Sequence, residues 1–203
     1  MHPIFTTEEM RQAEQNAVLR GTSLLQLMEN AGAGAANALL KIHPNAQHGL
    51  MICGKGNNGG DALVMARILA KHGVKSDILF IMGEKLSELS QINKDRLPEN
   101  TAIYISGSLN FEQYDFIVDA VFGTGFSGDL PKHISQLFNQ INALNAKRFA
   151  LDIPTGINCD TGDMAENTFQ AQHTFAFGAY KPAHIMDKTH SHCGEIQLID
   201  IGI

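Results

Sequence analysis

The sequence predicts an α/β fold, a Rossmann-like three-layer sandwich with a mostly parallel sheet and helices on both faces. Three observations predict it. From His48 onward, short apolar runs alternate with stretches of helical periodicity, the order expected of βαβ units. These runs are apolar throughout rather than at every second residue, as strands buried on both faces are. Three of them end in polar, glycine-containing turns, the place where an open α/β sheet binds its ligands.

The elements follow in order. Thr6-Thr7-Glu8-Glu9 has capping-box spacing and starts a helix to about Leu19, which Gly21 breaks. Ser23 and Gln26 repeat the signal, and Leu24, Leu27, Met28, Ala31 and Ala35 follow at helical spacing to about Leu40. Both helices precede the first strand and are expected on one face of the sheet. The small residues of the second also make it a candidate homodimer face. Residues 50–53 read as a buried strand and 61–72 as a helix with Gly73 at its C′ position. Residues 77–82 form a second strand, followed by a polar helix ending near Leu97-Pro98; 102–105 and 116–121 are further strands. Pro131 stands where an N1 proline opens a helix, here to about Asn145. Strands at 149–152, 173–177 and 195–201 complete the sheet. No repeat, low-complexity tract or linker divides the 203 residues, a length suited to one domain.

Composition excludes several classes. Fifteen Lys+Arg against 21 Asp+Glu give a net charge of −6, which argues against a nucleic-acid surface. A small anion needs no such excess, because backbone N–H groups can hold it. No run approaches the roughly 20 apolar residues of a membrane span. Residues 1–11 are mostly polar and do not read as a secretory leader. Cys53, Cys159 and Cys193 are odd in number and scattered, so no disulfide framework is expected and a reducing cytoplasm is the natural location. His190-Ser191-His192-Cys193 matches no common zinc spacing, and no metal is assigned there.

The chemistry is expected in the three turns. The first, Gly54-Lys55-Gly56-Asn57-Asn58-Gly59-Gly60-Asp61, leads from a strand into a helix. Its glycines point to positive φ or to close approach of backbone and ligand, and the helix N-terminus offers free N–H groups to a phosphate. The pattern is neither a Walker A loop nor a strict G-x-G-x-x-G. The second turn runs from Asp119 through Gly123, Thr124, Gly125, Phe126, Ser127 and Gly128 to Asp129; a carboxylate at a strand end suits a cation or a polar ligand group. The third is Asp152-Ile153-Pro154-Thr155-Gly156. Asp152, between Leu151 and Ile153, reads either as a turn-capping carboxylate or as a general acid/base raised toward neutrality by its apolar neighbours. Lys181 and Lys55 read equally as ligand contacts or as solvated lysines.

Gly-x-Gly-Asn-Asn-Gly-Gly-Asp, Asp-Ala-Val-Phe-Gly-Thr-Gly and Asp-Ile-Pro-Thr-Gly, in this order, resemble the NAD(P)HX epimerase family (the YjeF N-terminal domain). Residues 27–32, Leu-Met-Glu-Asn-Ala-Gly, resemble that family's second helix, and 174–181 its late strand and following lysine. The resemblance implies a Rossmann-like fold and epimerisation of the R and S forms of hydrated NADH and NADPH, at the hydroxyl-bearing carbon of the nicotinamide ring. It implies that Asn57, Asn58, Gly59, Gly60, Asp61, Gly123, Thr124, Gly125, Phe126, Ser127, Gly128, Asp129 and Asp152 bind the substrate, with Asp152 catalytic. It further implies a potassium ion held by Asn58, Asp119 and Thr155, oxygen ligands of the kind a hard cation takes. In some organisms such a domain precedes an ATP- or ADP-dependent dehydratase, so a fused or separate dehydratase is an implied partner. The sequence departs from the family's frequent residues at Ala62, Thr155, Gln172 and Ala176. A non-catalytic nucleotide- or protein-binding module on the same fold is the alternative reading.

Overall fold

The computed structural model describes residues 3–105 and 109–203. Its strands are β1 (His48–Cys53), β2 (Lys75–Phe80), β3 (Ile103–Tyr104), β4 (Phe116–Ala120), β5 (Lys147–Leu151), β6 (His173–Phe177) and β7 (Glu195–Ile199). They form one sheet, parallel at every pairing, in the order β3-β2-β1-β4-β5-β6-β7. The order reverses between β1 and β4, which makes the crevice above their carboxyl ends the topological switch point.

The helices are α1 (Thr7–Leu19), α2 (Leu24–Ile42), α3 (Asn57–Lys71), α4 (Glu88–Lys94), α5 (Lys132–Asn142) and α6 (His190–Cys193). Alternate strand residues serve two cores. Met51, Ile78, Val118 and Phe149 pack with Leu39 of α2 and Leu63 and Leu69 of α3. Leu50, Ile52, Ile117 and Ala150 pack on the other face with Ile134, Phe138 and Ile141 of α5 and with Phe169. Burial on both faces is why the strands are apolar throughout. The two faces are unequally built. The strand–helix alternation stops at β5, and residues 152–172 reach β6 without a helix.

Two expectations change. α3 begins at Asn57, so Asn57, Asn58, Gly59 and Gly60 are its first turn rather than a loop. Glycine's low helix propensity hides this in the sequence, and packing imposes it. Pro131 is the N-cap of α5 rather than its first helical residue, and the helix ends at Asn142. The small residues of α2 are covered within the chain. A Cβ on Gly32 would stand 2.5 Å from the Asp61 carbonyl oxygen of α3, and one on Gly34 2.3 Å from Ile199 of β7. The glycines on that face of α2 pack within the chain, against α3 and β7.

α1 has the predicted capping box: Glu9 N–H donates to the Thr6 hydroxyl at 3.3 Å, and Thr6 N–H to the Glu9 carboxylate at 2.8 Å. Its start is tied across the carboxyl ends of the strands. Thr7 N–H donates to Asp160 at 2.8 Å, and the Thr7 hydroxyl to the Thr124 carbonyl at 3.1 Å. α1 thereby lies beside the switch point rather than flat on the sheet.

Candidate active site

The three turns meet. Asn58 Nδ2, from the first turn of α3, donates to the Phe122 carbonyl beyond β4 at 3.1 Å and to the Leu151 carbonyl of β5 at 3.2 Å. Thr155 N–H and hydroxyl donate to the two oxygens of Asp119 at 2.7 and 2.8 Å, and Phe122 N–H donates to the Thr155 hydroxyl at 3.0 Å. Asn58, Asp119 and Thr155 thus belong to one hydrogen-bonded knot at the switch point. Asp119 is fully buried; burial raises its carboxyl to about 7 against the lowering effect of the Thr155 and Val121 bonds. Asn58 Oδ1 is also buried and has no hydrogen-bond partner among the described residues.

The glycines of the first turn serve packing rather than positive φ; none of them lies in the left-handed region. A Cβ on Gly54 would stand 2.0 Å from the Val121 carbonyl oxygen, and one on Gly59 2.3 Å from the Gly54 carbonyl oxygen. Close approach is the right physical reason, but to the protein's own backbone. Gly56, the N-cap, has no side chain to cap α3, which leaves its first N–H groups free. α4 braces the turn. Ser87 N–H donates to the Lys55 carbonyl, and the Ser90 hydroxyl to that of Gly56, both at 2.8 Å. Neither serine stands out in the sequence, because polar residues in a polar helix carry no periodic signal.

Above the knot lies a cavity of about 530 Å³. Lys55, Gly56, Asn57, Asn58 and Asp61 line one side, and Gly123, Thr124, Gly125 and Asp152 another. Met10, Leu27 and Met28 from α1 and α2 supply an apolar wall. Other residues named from the sequence do not line it. Gly59 and Gly60 are buried, Gly59 against the Gly54 backbone and Gly60 against Met28 of α2 and Ser90 of α4. Phe126 turns into the core against Phe122, ring centroids 5.4 Å apart, while Ser127, Gly128 and Asp129 are exposed on the next turn. Asp119 and Thr155 lie beneath the cavity, fully buried.

Asp152 stands at the end of β5 with φ +64°, a left-handed conformation that a non-glycine residue adopts at some cost. Its surroundings are not the purely apolar ones expected. Lys181 is fully buried and ion-paired with the Asp152 carboxylate, and it also donates to the Phe177 carbonyl at 2.8 Å. Lys181 is therefore no surface lysine. Its own N–H donates to His184 Nδ1 at 3.1 Å. Burial, followed by the Lys181 charge, lowers His184 to about 4, so the ring is neutral and free to accept. Burial, then the Asp152 and Glu14 charges, hold the Asp61 carboxyl well above the usual carboxylate range. The late-strand departures lie away from this chemistry. Gln172 accepts from Arg148 N–H at the amino end of β5, and Ala62 and Ala176 are buried.

A cavity at the switch point, with a free helix N-terminus on one side and a lysine-held carboxylate on another, can bind an anionic dinucleotide and move protons. The relatives agree with this site. A family model described as YjeF-related protein N-terminus matches residues 24–183. The NAD(P)H-hydrate epimerase of Lentilactobacillus buchneri is 32% identical over 218 residues, covering 100% of this chain and 96% of that protein. That of Weissella koreensis is 32% identical, covering 98% and 90%. The bifunctional NAD(P)H-hydrate repair enzyme Nnr of Escherichia coli is also 32% identical; this chain spans 40% of its length. The crystal structure of yeast ynu0 superposes with a TM-score of 0.81 over 97% of this chain and 87% of that one, at 22% identity, a likeness of fold. With a match across most of its length and full-length relatives above 30% identity, the chain belongs to the YjeF-related protein N-terminus family.

Proposed function

We propose that this protein interconverts the R and S forms of hydrated NADH and NADPH, a repair of damaged nicotinamide nucleotides. The observation that carries the reading is the pairing of Asp152 with buried Lys181 at the rim of a dinucleotide-sized cavity. The carbon bearing the added hydroxyl neighbours the ring nitrogen, so it is hemiaminal-like. Protonation lets the hydroxyl leave as water while the nitrogen lone pair forms an iminium, and water adding to the opposite face inverts the centre. Asp152 moves a proton at that oxygen, and Lys181 holds its carboxylate in place. The free N–H groups of Asn57 and Asn58, with the positive end of α3, receive the pyrophosphate. Asp61 and the Gly123–Gly125 segment complete the walls. Ser127, Gly128 and Asp129 are kept as candidate contacts of the nucleotide's outer portion, Phe126 as the core anchor of that turn, and Gly59 and Gly60 as shapers of the helix start.

The knot fits a potassium ion. Asn58 Oδ1 is buried without a partner among the described residues, and Asp119 is a buried carboxylate without a cation. Asn58, Asp119 and Thr155 would hold it, and such an ion would supply positive charge to the site. Asp119 and Thr155 then orient the Phe122 backbone against the cavity.

The epimer a consuming enzyme cannot use must be converted to the one it can. The implied partner is a nucleotide-dependent dehydratase, fused or separate, in keeping with the word bifunctional in the relatives' names. Among the described residues no helix is long and apolar enough to cross a membrane. The three cysteines are free and buried, which supports placement in a reducing cytoplasm. The test is a chiral separation of the two epimers over time, with and without protein, in potassium and in tetramethylammonium buffer. Faster interconversion with protein, and more so in potassium, is expected; a time course equal to that of buffer alone leaves only a binding module. Asp152→Asn should lose ~10²- to 10⁴-fold in rate, the usual worth of a positioned acid/base group.

A further inference from the structure

The reaction proposed above handles protons on two faces of one carbon. A hydroxyl leaving one face takes up a proton there, and a water adding to the other face gives one up there. Asp152, ion-paired with buried Lys181 at the end of β5, serves the cavity from one wall. A second group has to come from a different wall. Besides Asp152 the cavity lining holds two acids, Asp61 on α3, beside the phosphate-facing helix start, and Glu14 on α1, which also supplies Met10 and Arg11. Among the described residues the Glu14 carboxyl makes no hydrogen bond and no salt bridge, although it is half-buried.

Glu14 also occupies an unusual position on its helix. Met10, Glu14 and Ala17 share one face of α1, and both Met10 and Ala17 are buried. A surface helix places apolar residues on that face. A carboxyl there, without a partner and open to a cavity, is costly unless something in the cavity uses it.

We propose that Glu14 is the second acid–base catalyst of the site, acting on the face of the nicotinamide ring turned away from Asp152. This rests on the epimerase reading. In one direction the Glu14 carboxylic acid protonates the departing hydroxyl; the C–O bond breaks, water leaves, and the ring nitrogen's lone pair closes the iminium. A second water attacks the opposite face, its oxygen forms the new C–O bond, the iminium π pair returns to nitrogen, and the released proton goes to the Asp152 carboxylate. Glu14 ends ionised and Asp152 protonated, and exchange with solvent restores the starting state. The reverse direction exchanges the two roles. Burial and the Asp152 charge raise the Glu14 carboxyl above its ordinary value, against the opposing effects of Lys181 and Arg11, which favours the protonated form needed. The charged groups around it are Arg11 on its own helix, Lys55 and Asp61 at the start of α3, Asp152 at the end of β5, and Lys181 after β6.

The test compares wild type with Glu14→Gln and Glu14→Ala in the epimer-separation assay. Glu14→Gln keeps the shape of the side chain and removes its proton chemistry. The expected result is a ~10²-fold lower kcat with KM unchanged within about twofold, and loss of one limb of the kcat–pH profile. Added formate should restore part of the Glu14→Ala rate in proportion to its concentration, which a merely structural role would not produce. The proposal is overturned by a Glu14→Gln kcat within threefold of wild type, by a loss carried by KM alone, or by Glu14→Ala that formate leaves unchanged. A wild-type protein that does not accelerate interconversion overturns the epimerase reading itself, and the role of Glu14 with it.

Discussion

Replacing Lys181 with Met tests the electrostatic centre of the site. The side chain is 0% exposed and its ammonium has two partners, the Asp152 carboxylate and the Phe177 carbonyl. Met fills similar volume but leaves Asp152 without a counter-ion and the carbonyl without a donor. Breaking one side of a buried ion pair costs about 3–5 kcal/mol. Asp152 is 14% exposed and borders the cavity, so water can solvate it, and the low end, ~3 kcal/mol, is expected for Lys181→Met. Asp152→Asn strands the charge that no water reaches, so its cost should be the larger, toward about 5 kcal/mol. The double variant removes both charges and should recover ~2–3 kcal/mol of the summed losses. The protein has no Trp, so urea unfolding at pH 7 is best followed by far-ultraviolet circular dichroism. Additivity within ~0.5 kcal/mol would refute the pairing as an energetic unit.

Two further outcomes follow from the same geometry. His184 is lowered to about 4 in the folded protein, so the unfolded chain binds the extra proton between pH 6.5 and 4. Its contribution is present above pH 6.5 and is lost as pH falls toward 4, by about 3 kcal/mol, and a His184→Gln variant should show a flatter stability–pH curve over that window. Gly59→Ala places a Cβ 2.3 Å from the Gly54 carbonyl oxygen, a backbone atom that cannot rotate away. It should cost ~1–3 kcal/mol in urea unfolding and weaken dinucleotide binding by displacing the α3 N-terminus, whereas an unchanged midpoint and affinity would contradict the close packing described.

The chain's periodicities settled the class of fold and the rim of the sheet at which its polar turns gather. Continuous apolar strands can be satisfied only between two covering layers, and polar turns after such strands gather at one rim. The three turns carrying Asn58, Asp119 and Asp152 were legible for that reason. What they contact was not. The glycines at 54 and 59 answer to neighbouring backbone that only the β1–β4 pairing and the start of α3 bring near. The sequence leaves Lys181 equally a ligand contact or a solvated lysine, and the fold pairs it with Asp152. Ser87 and Ser90 brace the first turn from 30 residues away or more. Glu14 did leave a trace in the sequence, as a carboxylate on the apolar face between Met10 and Ala17, but only the tie of α1 across the strand ends shows which cavity it enters. Hydrophobic pattern is local and survives in one dimension. Pairing between charges and atoms far apart in the chain depends on distance in space, which only the folded arrangement of layers decides.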